Sequence, residues 1–404
     1  MFARKLTLTL LVIITVSVFS LAEPTVRLAW KTYSVRGVAY STCIGQNYLY
    51  IVGFEEKGSQ QVTRIEARRL NDGALVINTT LGPGALYSCA FSRGTLYVAG
   101  KTESEEWLIA TLNENLAQPR IVKSVKGFAS SIVVSDGFLY VTGVDYNKAS
   151  VRVEKRSIES FSLIGAYEAL APNTYAFAST IVNDAVWLTG TAYTPTGFIW
   201  RIQALAPNLT SILTLRPQVE GISYSITASR EGLIYVTGPN GTISLDPQGI
   251  IVSKSTLGGF RVAELSGVLV ILSGKDTTKA LVLNASDLTI ISSIELSKNP
   301  IVPSFGSTAT SSDKVFLASA EKIGNSSTWS IYALSILVPS RITNSTQSNT
   351  QTKPAQNSTS TTNPTVSIQP TPILDYITPL LMILVLVLGV VMVRRKRKHR
   401  AQRA

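Results

Sequence analysis

The sequence predicts an all-β ectodomain, folded as a seven-bladed β-propeller, between residues 23 and 340. An apolar motif of five residues, ending in a small residue and glycine in six of its seven copies, recurs at intervals of 36 to 48 residues. An aromatic residue stands 13 to 15 residues before the last position of each copy, and no segment shows a helical period. Repeats of this length that hold several short strands are typical of propeller blades.

Two linked features define each repeat. The motif copies are Leu49–Gly53, Leu96–Gly100, Leu139–Gly143, Val186–Gly190, Ile234–Gly238, Val270–Gly274 and Val315–Ser319. The aromatics before them are Tyr40, Tyr87, Phe128, Phe177, Tyr224, Phe260 and Phe305. These seven rings are predicted to pack between blades, together with an aromatic column inside the motif at Tyr50, Tyr97, Tyr140, Trp187 and Tyr235.

Each repeat is interpreted as four short strands. The first carries the aromatic residue, the second carries the motif, and turns such as Asn71-Asp72-Gly73 lead from the third to the fourth. The last repeat has a third strand at 329–334, after which the composition changes. Thr25–Trp30 is predicted to supply its missing outer strand, because joining the first and last strands in one blade removes an open sheet edge.

The repeat resembles a known class of surface proteins. The Tyr-Val-Thr-Gly segments at 140–143 and 235–238, with polar loops such as Lys101–Ser104, resemble the YVTN-type and related seven-bladed repeats of prokaryotic, notably archaeal, cell-surface proteins. The resemblance covers roughly residues 25–335. It implies an exported, envelope-associated propeller, and it carries over no catalytic residue because that group shares no single activity.

The two ends of the chain predict its location. Residues 1–22 are predicted to be a secretory signal peptide, with two basic residues, an apolar run and a cleavage site after Ala22; an uncleaved N-terminal anchor is the alternative. Residues 373–393 are predicted to form a transmembrane helix, since 21 residues span about 31 Å of lipid bilayer. The basic tail at 394–404 stays inside by the positive-inside rule. The protein is therefore predicted to be a single-pass cell-membrane protein with its body outside.

Residues 341–372 are predicted to form a disordered stalk. Of these 32 residues, 26 are Ser, Thr, Asn, Gln or Pro, which cannot bury enough apolar surface to fold. Asn-x-Ser/Thr sequons in an exported chain indicate N-glycosylation on the surface. The predicted glycosylation sites are Asn78, Asn208, Asn240, Asn284, Asn325, Asn344 and Asn357.

Charge and histidine content exclude several classes of function. The formal net charge is +12, but seven of the 37 basic residues lie in the last eleven positions. Residues 23–340 hold 26 Lys/Arg against 24 Asp/Glu, which lacks the basic surface that nucleic-acid binding needs. The sole histidine, His399, lies in the basic tail, so the body has no histidine-based triad and no histidine-ligated metal.

Departures from the repeat are the candidates for a ligand face. Turns between the second and third strands of blades one and two carry glutamates, and Asp145 joins them from blade three. Neighbouring blades could bring these carboxylates together as a calcium site or a glycan-binding patch, with a solvated acidic rim as the alternative. No other cofactor is predicted. The candidate ligands are Glu55, Glu56, Glu103, Glu105 and Glu106.

Three further residues are candidates for the ligand face. Tyr167 and Tyr175 flank a longer loop at the entry to blade four and are predicted to stack on sugar rings. Arg261 stands where the other six repeats have a small residue near the central shaft. It could bind an anion there, or extend out of the channel with its charged end in water.

The only two cysteines, Cys43 and Cys89, lie on first strands of neighbouring blades. An even number of cysteines in an exported domain favours a disulfide. However, they follow their aromatics by three and two residues, so strand alternation points them to opposite strand faces. The sequence leaves their pairing open.

Two classes of function remain. The first is a non-catalytic binding, adhesion or envelope-assembly module with an extracellular protein or glycan as its partner. The second is an extracytoplasmic carbohydrate-active enzyme that uses a carboxylate pair in the mouth of the propeller. The absence of any distinctive acidic motif favours the first.

Overall fold

A computed structural model describes residues 24–169 and 173–337. Throughout this part of the chain the regular elements are β-strands that pair antiparallel in several sheets, so the predicted all-β class is confirmed. These residues include no helix able to span a membrane. The predicted signal peptide, stalk, transmembrane helix and basic tail, and the sequons Asn344 and Asn357, lie outside the described residues.

The described residues form 26 strands. The first thirteen are β1 (Thr25–Ile44), β2 (Tyr48–Lys57), β3 (Gln60–Arg69), β4 (Leu75–Thr79), β5 (Gly84–Ser92), β6 (Thr95–Thr102), β7 (Glu106–Asn113), β8 (Arg120–Ser135), β9 (Phe138–Asp145), β10 (Ser150–Ser157), β11 (Leu163–Glu168), β12 (Thr174–Val182) and β13 (Ala185–Thr194). The others are β14 (Gly197–Leu205), β15 (Ser211–Leu215), β16 (Ser225–Ala228), β17 (Ile234–Gly238), β18 (Gly241–Leu245), β19 (Ile251–Ser255), β20 (Arg261–Leu265), β21 (Val268–Ser273), β22 (Thr278–Asn284), β23 (Ile290–Ser297), β24 (Ala309–Thr310), β25 (Lys314–Ile323) and β26 (Ser326–Leu337).

The strands assemble into seven groups of four. Groups four, five and six are separate sheets, β12–β15, β16–β19 and β20–β23. The other strands form two seven-stranded sheets, in the orders β24-β25-β26-β1-β2-β3-β4 and β11-β10-β9-β8-β7-β6-β5. Each of these sheets contains two groups that share one long strand: β1 joins group seven to group one, and β8 joins group two to group three. The four-stranded unit expected from the repeat is therefore present seven times.

The N-terminal strand closes the array as the sequence predicts. The first half of β1 pairs with β26, from Thr25 opposite Leu337 to Arg36 opposite Thr328, and the second half pairs with β2. The strand changes partner at Gly37, whose φ is +134°. A Cβ atom there would lie 2.1 Å from the carbonyl oxygen of Phe54, so glycine is needed at this crossing.

The recurring glycine of the motif permits a close approach between the first and second strands. A Cβ atom added at Gly53 or Gly190 would lie 2.1 or 1.8 Å from a carbonyl oxygen of the first strand. Opposite these glycines the first strand carries a bulge, between Ala39 and Ser41 and between Ala176 and Ala178. The bulge turns the aromatic residue out of the regular alternation.

The seven aromatics before the motif pack between neighbouring groups, as predicted, and their rings also meet near one axis. Phe305 lies at the centre of the set, with its ring centroid 5.2 Å from those of Tyr87 and Phe177 and 5.5 Å from that of Tyr40. Tyr40, Tyr87 and Phe177 lie at bulges of their first strands, whereas Tyr224, Phe260 and Phe305 lie in the links before theirs. Each ring meets rings from other groups near a common axis. We call this set the axial aromatic cluster, formed by Tyr40, Tyr87, Phe128, Phe177, Tyr224, Phe260 and Phe305.

The aromatic column inside the motif packs between neighbouring sheets, as predicted. Tyr50 lies in one apolar cluster with Leu86 and Val98 of the next group, and Trp187 lies in another with Ile226 and Val236. Each ring is almost completely buried, so the column supplies much of the apolar area that holds one group against the next. Its members are Tyr50, Tyr97, Tyr140, Trp187 and Tyr235.

Cys43 and Cys89 form a disulfide, with their Cα atoms 5.9 Å apart. The two residues do point to opposite faces of their strands, because Cys43 pairs with Tyr50 and Cys89 with Val98. The argument from alternation against pairing is wrong, since stacked sheets meet through opposite faces. Cys43 points from group one toward group two, and Cys89 points from group two toward group one, so the two side chains meet.

Two buried carboxylates fix the shared strands. Glu66 and Glu154 lie at the centre of the same Arg-x-Glu-x-Arg pattern on β3 and β10, and each accepts hydrogen bonds from both flanking arginines. Each also accepts a hydrogen bond from a shared strand, at 2.5 Å from Ser34 Oγ on β1 and 2.5 Å from Ser124 Oγ on β8. A buried carboxylate requires such compensation, and here the compensation ties two groups together.

A third buried carboxylate holds the N-terminal strand in group seven. Lys31 Nζ lies 2.9 Å from Glu321 Oε1, and Tyr33 Oη donates a 3.0 Å hydrogen bond to Glu321 Oε2. Both partners lie on the first half of β1, whereas Glu321 lies on β25. This contact joins the two ends of the described chain.

The surroundings of Glu321 favour its ionised form. Burial raises the pKa of this carboxyl, but hydrogen bonds from Ser297, Tyr332, Lys31 and Asn299 together outweigh burial and hold the pKa below its usual value. A pKa that is lower in the folded than in the unfolded state stabilises the fold above the unfolded-state pKa. This stabilisation is lost as the pH falls through the folded-state pKa.

Replacing Lys31→Met tests the contact that closes the array. The variant leaves a buried carboxylate without its cation, so we expect the free energy of unfolding to fall by about 3 kcal/mol in denaturant titrations of the full-length protein. The exposed pair Lys148–Glu168 provides the control, since Lys148→Met removes a surface ion pair worth about 1 kcal/mol or less. In the wild type we also expect stability to decline below about pH 4.3, and Glu321→Gln to lose this part of the decline. Equal effects of Lys31→Met and Lys148→Met would show that other contacts hold the first half of β1 in group seven.

Candidate functional site

The ends of the first strands surround a cavity on the axis. In every group the turns between strands one and two and between strands three and four lie at one end, which we call the lower face; the opposite end is the upper face. The axial aromatic cluster occupies the upper part of the first strands. Below it lies a cavity of about 500 Å³, which we call the axial cavity. Its wall is formed by residues 42–44, 89–91, 132–134, 179–181, 226–227 and 307–310.

The wall of the axial cavity is neutral. Its lining residues carry hydroxyl groups or apolar side chains, and none of the described lining residues has an ionisable side chain. Both cysteines of the chain lie in or beside it, and the disulfide leaves neither as a thiolate. The cavity can therefore offer hydrogen bonds and apolar contact, and its described wall supplies no group for acid–base or nucleophilic chemistry.

Two neighbouring groups place an unbonded hydroxyl in the wall of the axial cavity. Thr180 and Thr227 occupy equivalent positions in groups four and five, each opposite the aromatic column residue of its second strand. At the same position groups one, two and three have Cys43, Ala90 and Val133. Within the described part of the chain, no hydrogen bond occupies the hydroxyls of Thr180 and Thr227. Thr42, Ser307 and Thr308 also bring hydroxyl groups to the wall, so the cavity combines hydroxyl groups with apolar side chains.

Sequence analysis missed these threonines. The repeat directed attention to the turns and to the residue after each aromatic, whereas the cavity is lined by positions further along the first strands. A signal was available, because Thr180 and Thr227 stand three positions after Phe177 and Tyr224. To interpret this spacing, one has to know that this part of the first strand faces the axis.

The predicted acidic residues of blade one form separate ion pairs. Glu55 lies 3.0 Å from Arg64 Nη1 and 3.8 Å from Lys57 Nζ. Glu56 lies 3.8 Å from Arg36 Nη2. The structure thus places a basic side chain beside each of these carboxylates.

The acidic residues of blade two are also partnered. Glu105 lies 3.7 Å from Lys101 Nζ, and Glu103 accepts a 3.3 Å hydrogen bond from Gln60. A hydrogen bond from Ser104 and then one from Lys123 lower the pKa of Glu106. Among the described residues, no group of three or more His, Cys, Asp or Glu side chains is arranged to hold a metal ion. Calcium binding by these five glutamates stays a prediction.

The two tyrosines proposed for sugar stacking have different surroundings. Tyr167 lies on the outer strand β11, where its hydroxyl accepts a 2.5 Å hydrogen bond from Gln203 Nε2. Tyr175 lies at the start of β12, and its ring stacks on Phe177 of the axial aromatic cluster at 6.5 Å. Residues 170–172 of the loop between them lie outside the described residues.

Arg261 does not extend out of the channel. Its side chain is fully buried, donating hydrogen bonds to the carbonyl of Phe260 at 2.9 Å and to the carbonyl and hydroxyl of Ser304. Burial lowers the pKa of Arg261 to about 9, with a smaller opposing effect of the nearby Tyr40. The alternative of a solvent-exposed guanidinium is wrong, because the link before β24 covers this side chain. Anion binding by Arg261 stays a prediction.

The sequons in the described residues lie in exposed or half-buried positions. Asn78, Asn208, Asn240 and Asn325 are exposed, and Asn284 is half-buried at the end of β22. Their accessibility fits attached glycans, and their modification stays a prediction.

Comparison with known proteins adds no family to this description. No protein-family model matches the chain, and no curated protein matches it. The function is therefore argued from the geometry of the molecule itself.

Proposed function

We propose that this chain is a single-pass cell-surface protein whose residues 23–340 form a seven-bladed β-propeller that binds a neutral ligand without catalysis. Seven four-stranded groups, first strands that meet on one axis, and a β1 strand that belongs to both the first and the last group support the propeller. The predicted signal peptide, stalk and transmembrane helix support a location outside the cell, with the chain anchored in the membrane through residues 373–393.

The axial cavity carries the proposal of ligand binding. Its wall combines the free hydroxyls of Thr180 and Thr227 with apolar side chains, which suits a ligand with hydroxyl groups and apolar C–H surface, such as a sugar residue. Its volume of about 500 Å³ lies within the range of small-ligand sites. Sevenfold packing alone does not explain two neighbouring threonines at positions that are apolar in the other groups.

The buried carboxylates favour binding over hydrolysis. A glycosidase needs two carboxyl groups that flank the scissile bond and stay free to exchange protons. The fully buried glutamates Glu66, Glu154 and Glu321 are each held by arginine or lysine and by hydroxyl groups. Within the described residues these carboxylates join strands, and none of them lines the axial cavity.

Replacing Thr180→Val and Thr227→Val together tests this proposal. Valine keeps the volume and removes both hydroxyls, so we expect the double variant of the full-length protein to bind glycan-array ligands at least about tenfold more weakly than the wild type. The exposed Thr256→Val variant is the control and is expected to bind like the wild type. Wild-type protein that binds no neutral glycan, or a double variant with unchanged affinity, would contradict binding in the axial cavity.

A second observation favours a role in envelope assembly. Each of the seven outer strands carries at least one aliphatic residue near its lower end that is 38 to 65% exposed. We call this set the apolar girdle: Leu28, Leu75, Val76, Ile121, Leu163, Ile164, Ile212, Ile250, Ile251, Val252 and Ile290. Exposed apolar residues on edge strands favour contact with another chain.

The position of the apolar girdle indicates another copy of this chain as its partner. The described chain ends at Leu337, on the lower face, and the stalk and predicted membrane helix follow it. Anchoring in one membrane would confine the copies to a surface and raise the local concentration of one girdle around another. Lateral contact between copies would then bury apolar surface on both.

Charged substitutions in the girdle test lateral association. We expect full-length protein in lipid nanodiscs or detergent to form chemically cross-linked oligomers, and the pair Ile164→Lys and Ile251→Lys to reduce their yield several-fold. Ile323→Lys, at an exposed aliphatic residue of the upper face, is the matched control. A wild type that remains uncross-linked at every concentration, or equal yields in all variants, would argue against assembly through the girdle.

A further inference from the structure

The upper face carries a second cavity that the seven-fold pattern does not explain. It measures about 430 Å³ and lies between the β13–β14 turn of group four and the link from β15 to β16. We call it the upper cleft. Phe198 forms one wall, Gln218, Glu220 and Gly221 form another, and Asn240 of the β17–β18 turn lies at its edge.

Two aromatic rings are exposed at the upper cleft. Tyr193 is 56% exposed and Phe198 is 42% exposed, and their rings meet edge to face with centroids 5.5 Å apart. Tyr33 and Tyr146 are exposed to a similar degree, but of these rings only Phe198 lines the upper cleft. An exposed ring beside amide and carboxylate groups suits a sugar, since a sugar ring offers C–H groups to the aromatic face and hydroxyls to the polar wall.

The amide nitrogen of Asn240 is held against the wall of the cleft. Asn240 Nδ2 donates a 2.9 Å hydrogen bond to the carbonyl oxygen of Glu220. A Cβ atom at Gly221 would lie 2.9 Å from this nitrogen, so a side chain at that position would displace the amide. Asn240 begins the sequon Asn240-Gly241-Thr242, and its nitrogen is the atom to which an N-linked sugar would be attached.

The other sequons compared here hold their asparagine differently. Asn208 accepts hydrogen bonds through Oδ1 from Thr210 within its own turn, and Asn284 accepts through Oδ1 from Ser286. These contacts stay within three residues of sequence. Asn240 instead directs its nitrogen across to the link between groups four and five.

We propose that the glycan on Asn240 folds back into the upper cleft and packs its first sugar against Phe198, so that the chain binds its own modification. Attachment joins Asn240 Nδ2 to the anomeric carbon of an activated glycosyl donor, breaks the bond from that carbon to the donor's leaving group, and releases one amide proton. The other amide hydrogen remains to donate to Glu220. The glycan covers the exposed ring and joins group four to group five. This inference rests on the exported location proposed above.

The burial of Thr242 determines when a glycan can be attached to Asn240. Thr242 is fully buried, and its hydroxyl donates a 2.7 Å hydrogen bond to the carbonyl of Leu257. A transferase that reads this hydroxyl has to act before group five folds. The glycan therefore has to be attached in the cell and not to the purified protein.

The test is a double-mutant cycle on full-length protein from a host that attaches N-linked glycans. We expect intact-mass and peptide mapping to show a glycan on Asn240. Asn240→Gln is then expected to lower the unfolding temperature by about 2–4 °C, and Phe198→Ser by a similar amount. The two changes together are expected to lower it by clearly less than their sum, because each removes the same contact. Asn325→Gln, at an exposed sequon in the β25–β26 turn, is the control and is expected to leave the temperature unchanged.

Four results would overturn the inference. A glycosylated Asn240 whose replacement leaves the unfolding temperature unchanged, or strictly additive effects of the two substitutions, would show that the glycan does not use the cleft. Glycans on other sequons with Asn240 unmodified would leave the cleft to a carbohydrate from another molecule. The absence of glycans from every sequon would contradict this inference and also count against the exported location, which distinguishes it from the first two results.

Discussion

The convergence of seven aromatic rings on one axis is the constraint on which the rest of the described domain depends. Tyr40, Tyr87 and Phe177 reach the axis from bulges in their strands, where the glycine opposite the bulge lets two backbones approach. The other four rings reach it from a regular part of β8 or from the links before their strands. Buried rings in mutual contact contribute both apolar burial and favourable ring geometry. Their position also determines where a ligand can bind, since they fill the upper part of the shaft and leave the lower part as the axial cavity.

Around this axis, buried carboxylates with hydrogen-bonded and charged partners also join the groups. Glu66 and Glu154 tie the shared strands β1 and β8 to their neighbours, and Glu321 ties the N-terminal strand to group seven. Buried charge is tolerated there because arginines, a lysine and hydroxyl groups compensate it. Because these contacts hold the strands in place, a few residues that depart from the repeat can keep defined positions. Thr180 and Thr227 in the cavity, and Phe198 and Asn240 at the upper cleft, are such positions.

The repeat was enough to predict the strands, their grouping and the closing role of Thr25–Trp30. These features depend on local hydrophobic pattern and turn chemistry, which the sequence carries directly. Features that depend on how neighbouring sheets pack could not be predicted in this way. Strand alternation predicted the correct faces of Cys43 and Cys89 but could not decide whether they pair, because pairing depends on how two sheets stack. The burial of Arg261 depends on carbonyl groups around Ser304, which lie in a distant link with no motif of its own.

The measurement that tests this account most directly is the coupling between Phe305 and Tyr87, whose rings are 5.2 Å apart although they belong to groups seven and two. Phe305→Leu, Tyr87→Leu and the double variant would be unfolded in denaturant, and the coupling free energy taken from the cycle. We expect about 0.5–1.5 kcal/mol, the range for aromatic pairs in contact, and no coupling between Phe305 and the exposed Tyr193. A coupling of zero between Phe305 and Tyr87 would contradict convergence of the first strands on one axis.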